Sequence, residues 1–334
     1  MKDFITMCQK IGNMADYVQG GGGNASVKHD VNKMAIKASG FTIREITETA
    51  GYADVDYIKI KEYHADVEPS EVAEKEKNST PFTLSCVFPS ADGKTLRPSV
   101  ETGFHSLLKK YVMHTHPVYA NVVTCSIGGR ELAKKIFPDV DFVWIPYINP
   151  GFELTLSIKD AVNAYEAETG RFPQVIFLEN HGLVTTSDDA KECTDLHILI
   201  NETIKKYLGL SDFYTDLVLN EKDGAFESNA SVIAEFIGKY GVEEIGKTIL
   251  YPDQLVYLNA GLSDGKLVFD NGVLTLKTVA KEASAILETF AAYAYVVMSV
   301  RNAGLTIQTM DEAGRDFINN WESEKYRKSV AEQK

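Results

Sequence analysis

Four side chains able to bind a metal ion or move a proton fall within sixteen positions of this chain: Glu101, His105, His114 and His116, in the segment RPSVETGFHSLLKKYVMHTHP from Arg97 to Pro117. Three of the seven histidines lie there, and a fourth, His181, sits in an isolated Asn-His-Gly turn. Neutral imidazoles suit Zn²⁺ and similar divalent ions, and a catalytic zinc takes three protein ligands while leaving one position open for substrate. His114, His116 and His181 would supply those three. An ion so held polarises a carbonyl and stabilises the enediolate left when a neighbouring proton is removed. Glu101 is the group expected to move that proton. His105 and His197 read more simply as packing residues with hydrogen-bonded rings.

The elements around these residues have to aim them at one point. Pro98-Ser99 reads as a helix start with Ser99 as N-cap, and Phe104, Leu107, Leu108 and Tyr111 as the buried side. Glu101 then falls in the first turn, near the positive helix end, which favours its ionised form. His105, one turn on, shares its face. Val112 to His116 reads as a strand, so alternation points His114 and His116 the same way with Thr115 opposite. Upstream, a helix over residues 3–18 must stop at Gly20. Gly20 to Gly23 lead into Asn24-Ala25-Ser26-Val27-Lys28, and an apolar stretch Met34-Ala35-Ile36 precedes Ser39-Gly40. Glycines let backbone N–H groups converge on an anion, and the flanking Asn and Ser add donors. The order is the reverse of a dinucleotide fingerprint, which needs a strand before the glycines and a helix after them.

From Ala53 to Thr80 the chain is acidic and polar, a solvated helix or loop. Leu84 to Phe88 reads as a strand and Ala91 to Lys94 as a hairpin turn. Strands at 143–145, 175–178 and 183–185 alternate with helices in the second half of 118–137, at 157–169 and at 187–208, so the class is α/β or α+β. Beyond residue 212 come a polar stretch to Asn229, a helix at 232–240, a strand-turn-strand pattern over 255–276, a long Ala- and aromatic-rich helix at 280–302, and a polar helix carrying Trp321 and Tyr326. Nothing there has the spacing of a site.

A length of 334 residues favours one large domain with an appended piece, or two domains. Hydrophobic residues at 44% and charged residues at 24% are ordinary for a soluble globular protein. The net charge of -13 argues against general nucleic-acid binding and against an anionic membrane surface, while leaving room for a small anionic substrate held by local donors. The N-terminal residues lack the apolar core of a secretory signal, and no apolar run reaches the length of a membrane helix. Cys8, Cys86, Cys125 and Cys193 are scattered with no CxxC pair, which suits reduced thiols. The expectation is a cytoplasmic protein.

The segments GGGNASV (Gly21 to Val27), Ala38-Ser39-Gly40, PSVETGFH (Pro98 to His105), HTHP (His114 to Pro117), IPYINPG (Ile145 to Gly151) and NHGLV (Asn180 to Val184) occur in this order. As a set they resemble the class II aldolase/adducin family, over roughly residues 5–210. The resemblance implies an α/β fold, an αβα sandwich with a central, mostly antiparallel sheet. It also implies a divalent metal, usually zinc, and retro-aldol cleavage of a sugar phosphate. By matching positions, His114, His116 and His181 look like the metal ligands and Glu101 like the catalytic acid/base. Asn24, Ser26, Ser39, Gly40 and Ser99 resemble the phosphate-binding donors. Family members are commonly tetramers, which suggests a homo-oligomer.

Two departures stand out. Val100 occupies the position where family aldolases often carry a second Ser before the catalytic Glu. The residues after 212 exceed the single-domain members and look similar to the segment that follows the aldolase domain in long aldolase–dehydrogenase fusions. No GxGxxG unit follows, so no dehydrogenase activity is expected in this chain. The expected organisation is a catalytic domain over 1–212 and a smaller α+β extension over 213–334. The expected activity is metal-dependent cleavage of a ketose 1-phosphate, of the rhamnulose or fuculose type, to dihydroxyacetone phosphate and an aldehyde. The alternatives are a ribulose-phosphate 4-epimerase, whose family generally carries Asp at the position of Glu101, and an adducin-like interaction module, whose members have lost ligands that this chain retains.

Overall fold

The computed structural model describes residues 1–90, 93, 95–214, 216–270 and 272–320. Its larger sheet is built from β1 (Asn24–Lys28), β2 (Lys33–Lys37), β3 (Tyr52–Asp56), β4 (Tyr111–Thr115), β5 (Phe142–Ile145), β6 (Val175–Leu178) and β7 (Gly182–Ser187). The strand order is β3-β2-β1-β4-β7-β6-β5. Every neighbouring pair is antiparallel except β5 with β6. This is the mostly antiparallel α/β sheet expected.

β4 lies in the middle, and all five of its residues are buried. Alternation explains why both of its faces are covered. On one face Ala25, Val27, Met113 and Leu183 pack with Phe4, Val122, Ile200 and Phe290, carried by helices Lys2–Gly12, Val118–Thr124, Ala190–Leu208 and Ala280–Asn302. On the other, Val112, Ile145, Ile176 and Val184 pack with Phe104 of helix Thr102–Leu107 and with Leu154 and Ile158 of helix Phe152–Thr169. Two layers of helices around one sheet make the αβα sandwich.

Several boundaries differ from the sequence expectation. The first helix ends at Gly12 rather than near residue 18. Gly12 packs against the turn at Ile43–Glu45 so closely that a Cβ there would lie 2.5 Å from the Arg44 backbone nitrogen. The acidic stretch opens with β3, whose Ala53 and Val55 are buried at the sheet edge. Leu84 and Ser85 belong to helix Val72–Ser85 rather than to a strand, and only Val87 bridges to Val55. Leu84, Cys86 and Phe88 give that segment the alternation of a strand. Phe82, however, stacks on Tyr63 at 4.2 Å between ring centroids, and Leu84 is exposed. Ala91, Asp92 and Lys94 of the expected hairpin turn lie outside the described residues, as do Trp321 and Tyr326.

Beyond residue 212, β8 (Asn220–Lys222), β9 (Ala225–Ser228), β10 (Leu267–Asp270) and β11 (Val273–Leu276) form a second antiparallel sheet in the order β10-β11-β9-β8. Residue 255 starts no strand. Gln254–Asn259 is instead a wide π-helical turn running into Ala260–Ser263. Helix Ala280–Asn302 has the length and hydropathy to cross a bilayer, yet 83% of its most apolar window is buried inside the protein. It is a core helix. Its Tyr295 meets Tyr119 and Phe213 edge-on, with centroids 5.8 and 5.5 Å apart, so one hydrophobic core is continuous across residue 212.

Candidate metal centre

β4 delivers His114 and His116 to the same face of the sheet, and the turn between β6 and β7 delivers His181. That turn requires Asn180 in a left-handed conformation, φ 50°. The Asn180 side chain donates to the carbonyls of Leu250 and Gln308, at 2.8 Å each, and so secures the turn. The three imidazole centroids are each 5.0 Å from the other two. One ring nitrogen from each can be chosen so that all lie within 4.8 Å of one another, and all three residues are buried.

Tautomers follow from the outer contacts. His114 Nδ1 lies 3.1 Å from the Leu183 carbonyl, and His116 Nδ1 lies 2.5 Å from Asp253 Oδ2. Both acceptors hold the proton on Nδ1 and leave a lone pair on Nε2. The two Nε2 atoms are 3.2 Å apart. Two lone pairs at that distance repel unless a cation lies between them. Tetrahedral zinc with bonds of about 2.1 Å holds its ligand nitrogens about 3.4 Å apart. Burial, the largest cause, lowers the pKa of His114 to about 4, so no proton competes for its nitrogen near neutrality.

Glu101 closes the fourth side. Its Oε2 is 3.5 Å from His114 Nε2, and its Oε1 is 3.6 Å from His181 Nε2. Oε1 is buried with no hydrogen-bond partner among the described residues. An orphaned buried carboxylate oxygen is costly in a protein interior and marks a place where a positive charge or a substrate proton belongs. The donor set of three imidazoles with an adjacent carboxylate therefore fits a divalent ion.

Glu101 is also held by a relay of neutral groups. Asn24 Nδ2 donates to Glu101 Oε2 at 2.6 Å and to Ser99 Oγ at 3.1 Å. The Asn24 Oδ1 atom bonds His105 Nε2, and His105 Nδ1 bonds Ser26 Oγ at 2.7 Å. His105 is fully buried and stacks on Phe104 at 4.6 Å, so its pKa falls well below the ordinary value through burial. It remains neutral and braces Asn24. His197 lies on the far side of the sheet, between Thr115 and Thr185.

The expected phosphate donors do not all reach the cleft. Asn24, Ser39, Gly40 and Ser99 line it together with Glu101, His116 and His181. The cleft has about 570 Å³ of empty space and opens to solvent. Ser26, by contrast, is fully buried behind the site on the His105 ring. Helix Thr102–Leu107 begins with Glu101, not Ser99, at its N-cap. Ser99 works one turn earlier, its Oγ accepting from the Glu101 backbone N–H at 3.3 Å.

Two cleft residues escaped the sequence reading. Lys37 is buried at the end of β2, and its ammonium donates to the carbonyls of Gly21 and Phe41 at 3.0 and 2.7 Å. A lysine ending the apolar run Met34-Ala35-Ile36 just before Ser39-Gly40 was a usable signal. Asp253 belongs to the segment beyond 212, and nothing in the spacing of Tyr251-Pro252-Asp253 links it to a histidine 137 positions earlier.

The family described as class II aldolase and adducin N-terminal domain matches residues 2–208. Among curated proteins, the uncharacterized oxidoreductase YuxG of Bacillus subtilis (strain 168) is 27% identical over 218 residues, which is 62% of this chain and 29% of YuxG. The chain thus spans less than a third of that relative. The N-terminal class II aldolase domain of a conserved protein from Thermoplasma acidophilum is 24% identical, with a TM-score of 0.51, covering 62% of this chain and 92% of that one. The likeness is one of fold.

Proposed function

This chain belongs to the class II aldolase and adducin family, and on that premise we propose that it is a metal-dependent aldolase cleaving a ketose 1-phosphate of the rhamnulose or fuculose type. The observation that carries the reading is the buried, unpartnered Oε1 of Glu101, 3.6 Å from His181 Nε2, beside three imidazoles aimed at one point. His114, His116 and His181 would hold the ion. Zinc or another divalent ion bound there supplies Lewis-acid polarisation of the substrate carbonyl and charge stabilisation of an enediolate.

Cleavage breaks the bond between carbons 3 and 4. The carbon 4 hydroxyl loses its proton as the aldehyde forms, and the electron pair of the broken bond becomes the enediolate. Protonation at carbon 3 then gives dihydroxyacetone phosphate. Glu101 is the group that moves this proton, at Oε1, while Oε2 stays anchored by Asn24.

At the phosphate end, Ser39, Gly40, Ser99 and Lys37 share the cleft with the proton carrier. Lys37 offsets the hydroxyl missing at Val100. In this reading Asn24 contributes by fixing Glu101 and Ser26 by fixing His105. We also propose that the chain acts in the cytoplasm as a homo-oligomer, tetrameric like many of its family, with residues 1–212 as the catalytic unit and 213–334 as an extension of it.

Product analysis tests the activity. Ketose phosphates and free ketoses are incubated with the zinc-loaded protein and assayed for aldehyde release. Two fragments support the aldolase, and an isomeric pentulose phosphate would assign the 4-epimerase reaction instead. No conversion, with no divalent metal bound, would favour the adducin-like role.

A further inference from the structure

The glycine run and the C-terminal segment meet at a single imidazole. His116 Nδ1 and Asp253 Oδ2 are 2.5 Å apart, and both residues are buried. Gly22 lies against this contact. A Cβ at position 22 would sit 2.5 Å from Asp253 Oδ2 and 3.0 Å from His116 Nδ1. Gly22 is not among the glycines with a left-handed backbone, so what the position requires is space.

The loop that carries Asp253 is fixed from below. Gln254 accepts from the Leu250 N–H at 2.7 Å and donates to the carbonyls of Ile245 and Thr248 at 3.0 Å each. Asp253 therefore reaches His116 from a rigid support, at the start of a π-helical turn, a distortion often found at functional sites.

We propose that Asp253 is a positioning residue of the metal centre, and that Gly22 lacks a side chain in order to admit it. The proposal rests on the reading of the three imidazoles as metal ligands. A carboxylate accepting from Nδ1–H fixes the tautomer, holds the ring plane and raises the basicity of the other nitrogen. His114 receives only a neutral carbonyl in the same role, a weaker acceptor than an ionised carboxylate. Asp253 thereby gives residues 213–334 a share in the site itself, and the glycine run acquires a purpose besides holding an anion.

The test uses the full-length protein and zinc alone. Zinc affinity is measured by competition with a chromophoric chelator for wild type, Asp253→Asn, Gly22→Ala and the double variant, alongside the melting temperature of each metal-free protein. Outer carboxylates of this kind are worth about 10–100-fold in metal affinity. Asp253→Asn and Gly22→Ala should each weaken zinc binding by about that factor with the metal-free melting temperature of Asp253→Asn little changed. The double variant should bind no more weakly than the worse single variant, because both act through one contact. Wild-type affinity in Asp253→Asn, or fully additive losses in the double variant, would overturn the proposal. Wild-type protein that binds no zinc would remove the metal reading first, a result distinct from either.

Discussion

Asn24 sits directly opposite His114 across the β1–β4 ladder, and its side-chain amide donates to Glu101 at 2.6 Å. The sheet register therefore sets the distance between His114 and Glu101. Removing that donor with Asn24→Ala deletes a hydrogen bond to a charged group, worth about 1.5–3 kcal/mol. The expected result is a kcat lower by about 10–100-fold with the zinc content per chain unchanged, read by steady-state kinetics and elemental analysis. A kcat within twofold of wild type would show that Asn24 does not hold Glu101 in place.

Glu101→Gln keeps the shape and the Asn24 contact but cannot carry a proton. Turnover should fall by about 10²–10⁴-fold. Zinc should remain bound, because the three imidazoles are untouched. Unchanged turnover ends the assignment of Glu101, whichever substrate is used.

The residues of the centre were legible because they lie on elements with strong local patterns. His-Thr-His on a strand puts two imidazoles on one face by alternation alone, and the long helix 280–302 was readable from its run of apolar residues. The misreadings have physical causes. Helix 72–85 runs through Pro81 over a polar sequence with no buried residue, so neither hydrophobic period nor the usual breaker rule applied. Ser99 does cap a backbone N–H, but in a turn ahead of the helix rather than at its start. Asp253 could not be found by spacing at all, since only the packing of the later segment brings it to His116.

Acid should destabilise the fold through its neutral histidines. His197 is enclosed between two threonine hydroxyls, and burial lowers its pKa to about 3. His64 is lowered to about 4 by the same cause. An unfolded histidine takes up its proton near pH 6.5 while the native one does not, so the unfolded state binds more protons and stability falls as pH drops through this window. Each such group contributes roughly 1.4 kcal/mol per pH unit below pH 6.5, or roughly 2 kcal/mol by pH 5. Urea unfolding of His197→Gln at pH 7 and pH 5 should show a pH difference smaller than wild type by that amount. An identical difference would mean that His197 does not remain neutral in the native state.

The continuous core predicts a single unfolding transition on either side of residue 212. Phe290 is fully buried on helix 280–302, and its ring meets Phe236 edge-on. Phe290→Ala should cost about 3–5 kcal/mol through lost burial and the cavity left behind. Calorimetry should show one endotherm that moves down as a whole. Two separated endotherms, only one of them shifted, would make the segments before and after residue 212 independent units.

The grip of Leu250 and Gln308 on Asn180 also governs timing. His181 is aimed by a turn whose two fastenings are made only later in synthesis, the second 127 residues further along the chain than His181 (308 − 181). At a ribosomal pace of roughly 5–20 residues per second, that is a delay of about 6–25 s. During that interval the nascent chain presents His114 and His116 without a fixed third partner. An ion held by His114, His116 and His181 would therefore find its third imidazole aimed only after Gln308 has been made.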